Sequence, residues 1–254
     1  MFQEEIEAVS NAAKSKCNLL RTNPAGYLLA SVLAGAFIGF GVLLAFTVGG
    51  LTAGSSFSKF LMGCTFGVAL SLVVMAGGEL FTGNNLVMFV GAVRKSVTFG
   101  QCLKIWGVSY LGNLVGSLLL ALIYLGCGLA TGAVGEFMST AAAVKMSLSP
   151  LELLCRGALC NMLVCLAVWC SFKCKSESGK LIMVFWCLLA FITTGFEHSI
   201  ANMTLLTISL LSPAGSAVSL GGEVYNLFFV TVGNMAGGIL FAAVPYLVIA
   251  KKKN

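Results

Sequence analysis

The amino-acid sequence predicts an all-α membrane protein whose six transmembrane helices form a 3+3 inverted repeat, with the second and fifth helices broken. Three observations carry this prediction. Of the 254 residues, 58% are hydrophobic and 9% are charged, whereas soluble domains carry about 25% charged residues. Six apolar stretches approach or exceed the length of about 20 residues that crosses a bilayer. Short motifs also recur in the two halves of the chain.

Residues 1–26 precede the first apolar stretch and are predicted to form an amphipathic segment on the cytoplasmic side. Their acidic residues come first and their basic residues later, so they lack the basic-then-apolar order of a cleavable signal peptide. Residues 27–250 form the predicted transmembrane domain. Residues 251–254, which include three lysines, are predicted to be a basic cytoplasmic tail.

Each apolar stretch gives one predicted span. The spans are Tyr27 to Val48, Phe60 to Met88, Ile105 to Leu129, Leu151 to Ser171, Leu181 to Leu211, and Tyr225 to Ala250. The fourth span begins at the capping box Ser149-Pro150-Leu151-Glu152, where proline occupies the first helical position. Glu152 is therefore interpreted as a capping residue.

Two of these stretches are too long and too polar in the middle to be plain helices. Glycine, threonine and asparagine interrupt the second stretch at Gly77 to Asn85, and polar residues interrupt the fifth at Thr193 to Asn202. Irregular backbone at membrane depth is tolerated only where protein or a water-filled cavity satisfies its polar groups. The two breaks therefore predict the position of a solute pathway.

Basic residues indicate how the chain is oriented. If both termini and the second and fourth loops are cytoplasmic, twelve of the fifteen Lys and Arg residues lie inside. Only Lys59, Lys145 and Arg156 then lie outside, as the positive-inside rule favours. The net charge of +6 is thus interpreted as a topology signal, and no nucleic-acid partner is expected.

Paired motifs reveal an internal duplication. Gly112-Asn113-Leu114-Val115-Gly116 matches Gly233-Asn234-Met235-Ala236-Gly237 at an offset of 121 residues. Gly78 to Asn85 matches Gly195 to Asn202 at 117, and a looser match pairs Gly35-Ala36 with Gly157-Ala158 at 122. Because each half holds three spans, the second half enters the membrane from the opposite side. The Gly-xxx-Gly motifs are predicted to let helices pack closely.

Enzymatic and cofactor functions are not expected. The ten cysteines fall mostly inside apolar spans and form no Cys-x-x-Cys pair, so they are interpreted as small buried hydrophobic residues. The single histidine, His198, argues against a metal site and against a bis-histidine haem. No nucleophile with a partner base is evident, and no cofactor is predicted.

Four segments resemble the formate/nitrite transporter family: Gly78-Glu79-Leu80-Phe81-Thr82-Gly83, Gly112 to Gly116, Asn161 to Trp169, and Gly195 to Met203. The resemblance runs from about Gly35 to Tyr246. It implies a homopentamer of aquaporin-like protomers, each with its own pore, in a bacterial-type plasma (inner) membrane. Residues 27–250 would then be a transmembrane channel domain for small monovalent anions of weak acids. Residues 77–80 and 186–191 are similar to the nitrite and hydrosulfide members more than to the formate members.

By matching position, the resemblance also implies roles for individual residues. The pore histidine would be His198, the loop threonine Thr82 and the outer-vestibule lysine Lys145, which lies sixteen residues before Asn161. Asn161 and Asn202 would be polar pore residues. The hydrophobic constrictions would be Phe66, Leu70, Leu80, Phe81, Val164 and Phe191.

The residues themselves leave alternatives for these positions. An ionisable residue inside the membrane is functional by default, but His198 could also be a neutral, hydrogen-bonded core residue. Thr82 could cap freed backbone, and Lys145 could be a solvated lysine of an external loop. Glu79 and Glu197, beside the breaks, are expected to accept hydrogen bonds from uncapped backbone amides.

Energetics favours passage of a neutral acid. Moving an isolated charge into an apolar constriction costs tens of kcal/mol in the Born limit. Keeping an acid of pKa about 4 neutral at pH 7 costs only about 4 kcal/mol. We therefore expect nitrite, hydrosulfide or formate to cross as the protonated acid, with His198 as proton relay.

Two rival functions are considered. A strictly proton-coupled anion symporter would use the same site. A neutral-solute, aquaporin-type pore is less favoured, because Asn84-Asn85-Leu86 and Asn202-Met203-Thr204 stand where that class carries Asn-Pro-Ala.

Overall fold

The computed structural model describes residues 1–250; the predicted basic tail, residues 251–254, lies outside the described residues. Helices dominate the described chain and follow one another through short connections. They are α1 (Gln3–Thr22), α2 (Pro24–Leu51), α3 (Ser58–Leu72), α4 (Phe81–Val93), α5 (Phe99–Gly126), α6 (Gly132–Ser147), α7 (Pro150–Lys173), α8 (Glu177–Thr194), α9 (Ser199–Leu211), α10 (Leu220–Ala236) and α11 (Val244–Ala250). A π-helical segment, Val73–Gly77, extends α3, and another, Gly237–Ala243, joins α10 to α11.

Six helices within residues 1–250 are long and apolar enough to span a bilayer, which confirms the predicted number. The second and the fifth end at mid-chain breaks, and the short apolar helices α4 and α9 follow those breaks. The spans are Pro24–Leu51, Ser58–Gly77, Phe99–Gly126, Pro150–Lys173, Glu177–Thr194 and Leu220–Ala250.

Side-chain caps fix where several spans begin. The Ser149 hydroxyl accepts a hydrogen bond from the Glu152 amide, and the Glu152 carboxylate accepts one from the Ser149 amide, so the predicted capping box is confirmed. Thr98 and Gln101 form a second capping box at the start of α5, which the sequence analysis did not single out. Such caps satisfy amide groups that the first helical turn leaves without partners.

Glycines bring the helices of each repeat into contact, as the Gly-xxx-Gly motifs predict. In the first repeat α5 crosses α2, where a Cβ on Gly116 would overlap the backbone of Val32. In the second repeat α10 crosses α7 in the same way, and a Cβ on Gly237 would overlap the backbone of Ala158. The two halves therefore share one packing arrangement.

The two breaks correspond at an offset of 118 residues rather than the 117 taken from the sequence. Gly77 and Gly195 both have left-handed backbone, with φ of 84° and 79°, a conformation that glycine adopts without steric cost. The sequence match had paired Gly78 with Gly195, because either of two adjacent glycines satisfies the pattern. In the structural register, Asn84 rather than Asn85 corresponds to Asn202.

Two helices lie outside the six spans. Helix α1 buries Ile6, Val9 and Ala13, and the Gln3 amide hydrogen bonds to the carbonyl of Ala250. Helix α6 was not predicted: its small, alternating residues carry no strong periodic signal. Lys145 lies in the last turn of α6, in the connection between the third and fourth spans.

Candidate functional site

A buried asparagine of α5 stabilises the first break by hydrogen bonding to its backbone. The Asn113 side-chain oxygen accepts a hydrogen bond from the Phe81 amide at 2.9 Å, which satisfies the first amide of α4. Its side-chain nitrogen donates to the carbonyls of Ser31 at 2.7 Å and Glu79 at 3.0 Å. One fully buried side chain thus pairs two backbone groups of the break, the Phe81 amide and the Glu79 carbonyl, and joins them to α2 through the Ser31 carbonyl.

Asn234 makes the corresponding hydrogen bonds at the second break. Its oxygen accepts from the Ser199 amide at 2.9 Å, and its nitrogen donates to the carbonyls of Gly157 at 2.8 Å and Glu197 at 2.9 Å. The expectation that Glu79 and Glu197 cap these amides is therefore wrong. The asparagines of the paired Gly-Asn motifs do so, and their equal positions in the two halves were the available signal.

The Glu79 carboxylate instead forms a polar cluster beside the first break. Lys16 of α1 lies 2.7 Å from it, the Tyr27 hydroxyl 3.0 Å and the Asn84 side-chain nitrogen 3.2 Å. The lysine and glutamate side chains are only 19% and 13% exposed. A carboxylate so far from solvent requires this charged partner, because desolvation of an unpaired charge is costly.

Glu197 forms the corresponding cluster beside the second break. Its carboxylate lies 2.7 Å from the Lys145 ammonium and accepts a hydrogen bond from the Asn202 side chain at 2.7 Å. Asn202 also donates to the Asn226 side chain at 2.8 Å, and Asn226 donates to the carbonyl of Lys145 at 2.9 Å. Each break therefore carries a Lys–Glu–Asn cluster, related to the other by the inverted repeat.

His198 ends the second break and contacts the first. Its Nδ1 accepts a hydrogen bond from the Ala201 amide at 3.1 Å, which caps α9. The proton of the neutral ring is therefore on Nε2, which lies 3.0 Å from the Thr82 hydroxyl oxygen in the first turn of α4. The Phe191 ring stacks on the imidazole at a centroid distance of 6.0 Å. His198 and Thr82 join the two broken segments.

Two larger cavities lie at opposite ends of α7. The first, here called the Lys145 vestibule, has a volume of about 240 Å³; basic residues Lys59, Lys145 and Arg156 line it together with Glu197, Asn202 and His198. The second, the Lys16 vestibule, has a volume of about 320 Å³; Lys16, Lys180, Gly83 and Asn84 are among its lining residues. Both vestibules are lined by more positive than negative side chains.

A small cavity of about 10 Å³ lies between the vestibules. It shares Phe66, Phe191 and His198 with the Lys145 vestibule, and Leu70 and Leu80 with the Lys16 vestibule. The rings of Phe66 and Phe191 meet edge to face at 5.4 Å. About one water molecule fits such a volume. Apolar side chains thus close the path on both sides of this central cavity.

Of the residues expected to form the constrictions, five line the central cavity: Phe66, Leu70, Leu80, Val164 and Phe191. The Phe81 ring packs instead against Tyr110 at a centroid distance of 5.0 Å and lines none of the three cavities. Asn161 is also absent from their linings. Its side-chain nitrogen lies 3.2 Å from the carbonyl oxygen of Thr82, behind the site.

Sequence analysis missed several residues that line the vestibules. From the sequence, Lys16 and Lys180 are predicted only to lie on the cytoplasmic side, and Lys59 and Arg156 only to lie on the outer side. Lys16 lies 63 positions before its partner Glu79, so no local pattern joins them. The positive residues beside each break become evident only when α1 and the ends of α7 and α8 are placed in space.

Known proteins resemble this chain along its whole length. A family model described as Formate/nitrite transporter matches residues 3–248. The nitrite transporter NirC of Escherichia coli strain K12 is 39% identical over 100% of this chain and 94% of its own length. The formate channel FocA of the same strain is 33% identical over 88% of this chain and 86% of its own length. These relatives are transporters and channels, in agreement with the prediction that the chain is not an enzyme.

Solved structures confirm the fold. A structure described as an FNT family ion channel superposes with a TM-score of 0.94 at 38% identity and covers 98% of this chain and 100% of its own. A pentameric formate channel with formate bound superposes with a TM-score of 0.81 at 28% identity, covering 90% and 98%. Together with six membrane-spanning helices, these similarities make the protein a multi-pass membrane protein for anion transport. The chain belongs to the formate/nitrite transporter family.

Proposed function

We propose that this protein is a homopentameric channel through which small monovalent anions of weak acids, such as nitrite, hydrosulfide or formate, cross as the neutral acid. The observation that carries the proposal is the His198–Thr82 pair, which lies beside an apolar cavity large enough for about one water molecule. A pore of this kind has hydrogen-bond donors at its centre and no room for a hydration shell.

The two vestibules would collect the anion. Each is lined by at least two basic residues, and low-dielectric walls focus their field so that the local anion concentration rises. Lys145 would draw the anion on one side and Lys16 on the other. Asn202 and Asn84 hold the paired carboxylates in place by hydrogen bonds at 2.7 Å and 3.2 Å.

Protonation would then remove the charge before the anion passes the apolar side chains. His198 donates its Nε2 proton towards Thr82, and no acceptor for the Thr82 hydroxyl proton is found among the described residues. Thr82 lines none of the three cavities, so it would act through His198, which lines the central cavity. The His198 Nε2 proton would pass to an anion in the central cavity, and water in the Lys145 vestibule, which His198 also lines, would replace it, so that the ring stays neutral and one proton moves in total from vestibule water to the anion. The neutral acid would then cross Phe66 and Phe191 on one side or Leu70 and Leu80 on the other.

Asn161 supports this centre from behind in the proposal. Its amide nitrogen bonds to the Thr82 carbonyl and to the Asn234 carbonyl, the latter at 2.7 Å. It thereby joins α4, which carries Thr82, to the helix that caps the second break. This is a positioning role, and Phe81 would similarly hold α4 against α5 through Tyr110.

Assembly and orientation complete the proposal. The solved relative described as pentameric supports five copies, each with its own pore. The distribution of basic residues supports an orientation with α1 and both termini in the cytoplasm of a bacterial-type cell and the Lys145 vestibule outside, in the plasma (inner) membrane.

Proteoliposome flux tests the proposal. The purified full-length protein would be tested with nitrite, formate, hydrosulfide, chloride and glycerol at two pH values, with protein-free liposomes as the control for passive leak. We expect the three weak-acid anions to pass, and chloride and glycerol to be excluded, because chloride has no accessible protonated form. Passage of glycerol with exclusion of every weak-acid anion would overturn the assignment. Passage of the neutral acid itself carries one proton per anion, so a ratio above one, seen as anion uptake driven by a membrane potential without a pH gradient, would indicate a symporter.

A further inference from the structure

A fourth cavity, separate from the three described above, lies on the face of the molecule that carries α1. Its volume is about 570 Å³, and it lies where the end of α1 meets the beginnings of α2 and α5. Its lining includes three basic residues, Lys14, Arg21 and Lys104, and no acidic residue. We call it the basic groove.

The basic residues of the groove have no acidic partners within residues 1–250. None of the ion pairs there includes Lys14, Arg21 or Lys104. Arg21 contacts only the Asn18 side-chain oxygen, at 3.0 Å, and that acceptor is neutral. The acidic residues of α1 lie in its first two turns, at the opposite end of the helix. The groove therefore presents three uncompensated positive charges.

The surroundings of the groove match an amphiphile rather than a free ion. Helices α2 and α5, which are long and apolar enough to span a bilayer, begin at Pro24 and Phe99, so the groove lies where two of the spans begin. One turn further along, Leu28 and Leu103 are 45% and 54% exposed, on surfaces that face away from the protein. Charge at the membrane surface with apolar side chains directly below fits a phosphate headgroup and its acyl chains.

We propose that the basic groove binds the phosphate headgroup of an anionic phospholipid of the cytoplasmic leaflet, with its acyl chains along Leu28 and Leu103. Lys14, Arg21 and Lys104 neutralise the phosphate, and the Asn18 and Gln101 side chains lie in the same lining. The N-termini of α2 and α5 add partial positive charge at the same point. Bound lipid of this kind holds α1 to the spans on this face.

Native mass spectrometry of the purified pentamer tests this site. The protein is incubated with phosphatidylglycerol or with phosphatidylcholine, and retained lipid is counted. We expect phosphatidylglycerol to be preferred. A variant with Lys14→Gln, Arg21→Gln and Lys104→Gln should bind it about a hundredfold more weakly, because each basic residue near an anionic surface contributes a factor of about five. The matched control, Arg94→Gln, Lys95→Gln and Lys175→Gln, removes equal charge from exposed sites outside the groove and should change binding less than about threefold.

Several outcomes would overturn the proposal. Equal losses in the two variants would mean general surface electrostatics, and no lipid preference in the wild type would mean that a neighbouring protomer or nothing fills the groove. Displacement of the lipid by millimolar inorganic phosphate would make it a free-phosphate site. If the triple variant fails to assemble, Lys104→Gln alone should still show about a fivefold loss. Anion flux is measured in parallel, so a failure of the channel proposal is seen separately.

Discussion

At the scale of single residues, His198 is distinguished by the fact that both of its ring nitrogens have a fixed partner. The Ala201 amide occupies Nδ1 at 3.1 Å, so only Nε2 can exchange a proton with the central cavity. Nε2 in turn lies beside the Thr82 hydroxyl, for whose proton no acceptor is found within residues 1–250. This arrangement leads to two predictions.

Replacement of His198 by asparagine separates its capping role from proton transfer. Asparagine is among the preferred N-cap residues, so His198→Asn should keep the bond to the Ala201 amide and the fold. It cannot titrate, so we expect the pH dependence of anion flux to disappear, whereas wild-type uptake rises as the pH on the entry side falls. Flux into proteoliposomes between about pH 5 and pH 8 measures this, a range in which an acid of pKa about 4 is ionised in bulk water. An unchanged pH profile would remove His198 from the mechanism.

Thr82 allows a nearly isosteric test of its hydroxyl. Thr82→Val leaves the His198 Nε2 proton without its acceptor at 3.0 Å. A buried donor left without an acceptor costs about 1–3 kcal/mol, so flux should fall by about five- to a hundredfold. Thr82→Ser retains the hydroxyl and should stay within about threefold of wild type. Equal activity of the valine and serine variants would show that the hydroxyl has only a local structural role.

At the scale of elements, the breaks exist because Asn113 and Asn234 replace the hydrogen bonds that a continuous helix would supply. Each asparagine is fully buried and serves one amide and two carbonyls. The positive φ of Gly77 and Gly195 turns the chain, but a turn inside a membrane persists only when its polar groups are paired. The glycines of each Gly-Asn motif therefore let two helices pack closely, and its asparagine stabilises the broken helix beside them.

Removal of either asparagine should be destabilising to a similar degree. Asn113→Leu or Asn234→Leu leaves one amide and one carbonyl of the break without partners, and we expect the free energy of unfolding to fall by about 2–4 kcal/mol. Denaturant unfolding of the purified protein in detergent measures this loss. Asn11→Leu, on the exposed surface of α1, is the control and should change stability by less than about 0.5 kcal/mol. A large loss at one position only would contradict the equivalence of the two breaks.

Apolar stretches, glycine clusters and paired motifs made the six spans and two breaks predictable from the sequence, because membrane spans are defined by composition and length. Helix α6 was missed because it is neither long nor apolar enough to resemble a span. The predicted offset between the repeats was one residue too small because Gly77 and Gly78 are adjacent. His198 could be singled out as the only histidine, whereas Lys16 could not, since its pairing with Glu79 depends on how α1 folds back under the spans.

At the scale of the whole molecule, the inverted repeat places a similar Lys–Glu pair at each end of the proposed pathway. Lys16 with Glu79 and Lys145 with Glu197 are ion pairs at 2.7 Å on opposite sides of the central cavity. The pairs differ in burial, because the Glu197 side chain is 3% exposed and the Glu79 side chain 13%. In a channel the two entrances act in series, so a barrier at either one lowers flux in both directions.

Charge removal at each entrance tests this series arrangement. Lys16→Gln or Lys145→Gln leaves a carboxylate without its cation and makes the vestibule less attractive to anions, so flux should fall about tenfold or more in both directions. The loss of stability should be larger for Lys145→Gln, because its partner is the more deeply buried carboxylate. Adding Glu79→Gln or Glu197→Gln to the matching variant removes the uncompensated charge and should restore flux to within about threefold of wild type. Flux of formate in both directions, at low and high ionic strength, measures these effects, and the losses should shrink as salt screens the vestibules. If Lys145→Gln abolished flux while Lys16→Gln left it unchanged, the two entrances would not be equivalent. The inverted repeat would then describe the fold alone, and the two Lys–Glu pairs would have different roles in transport.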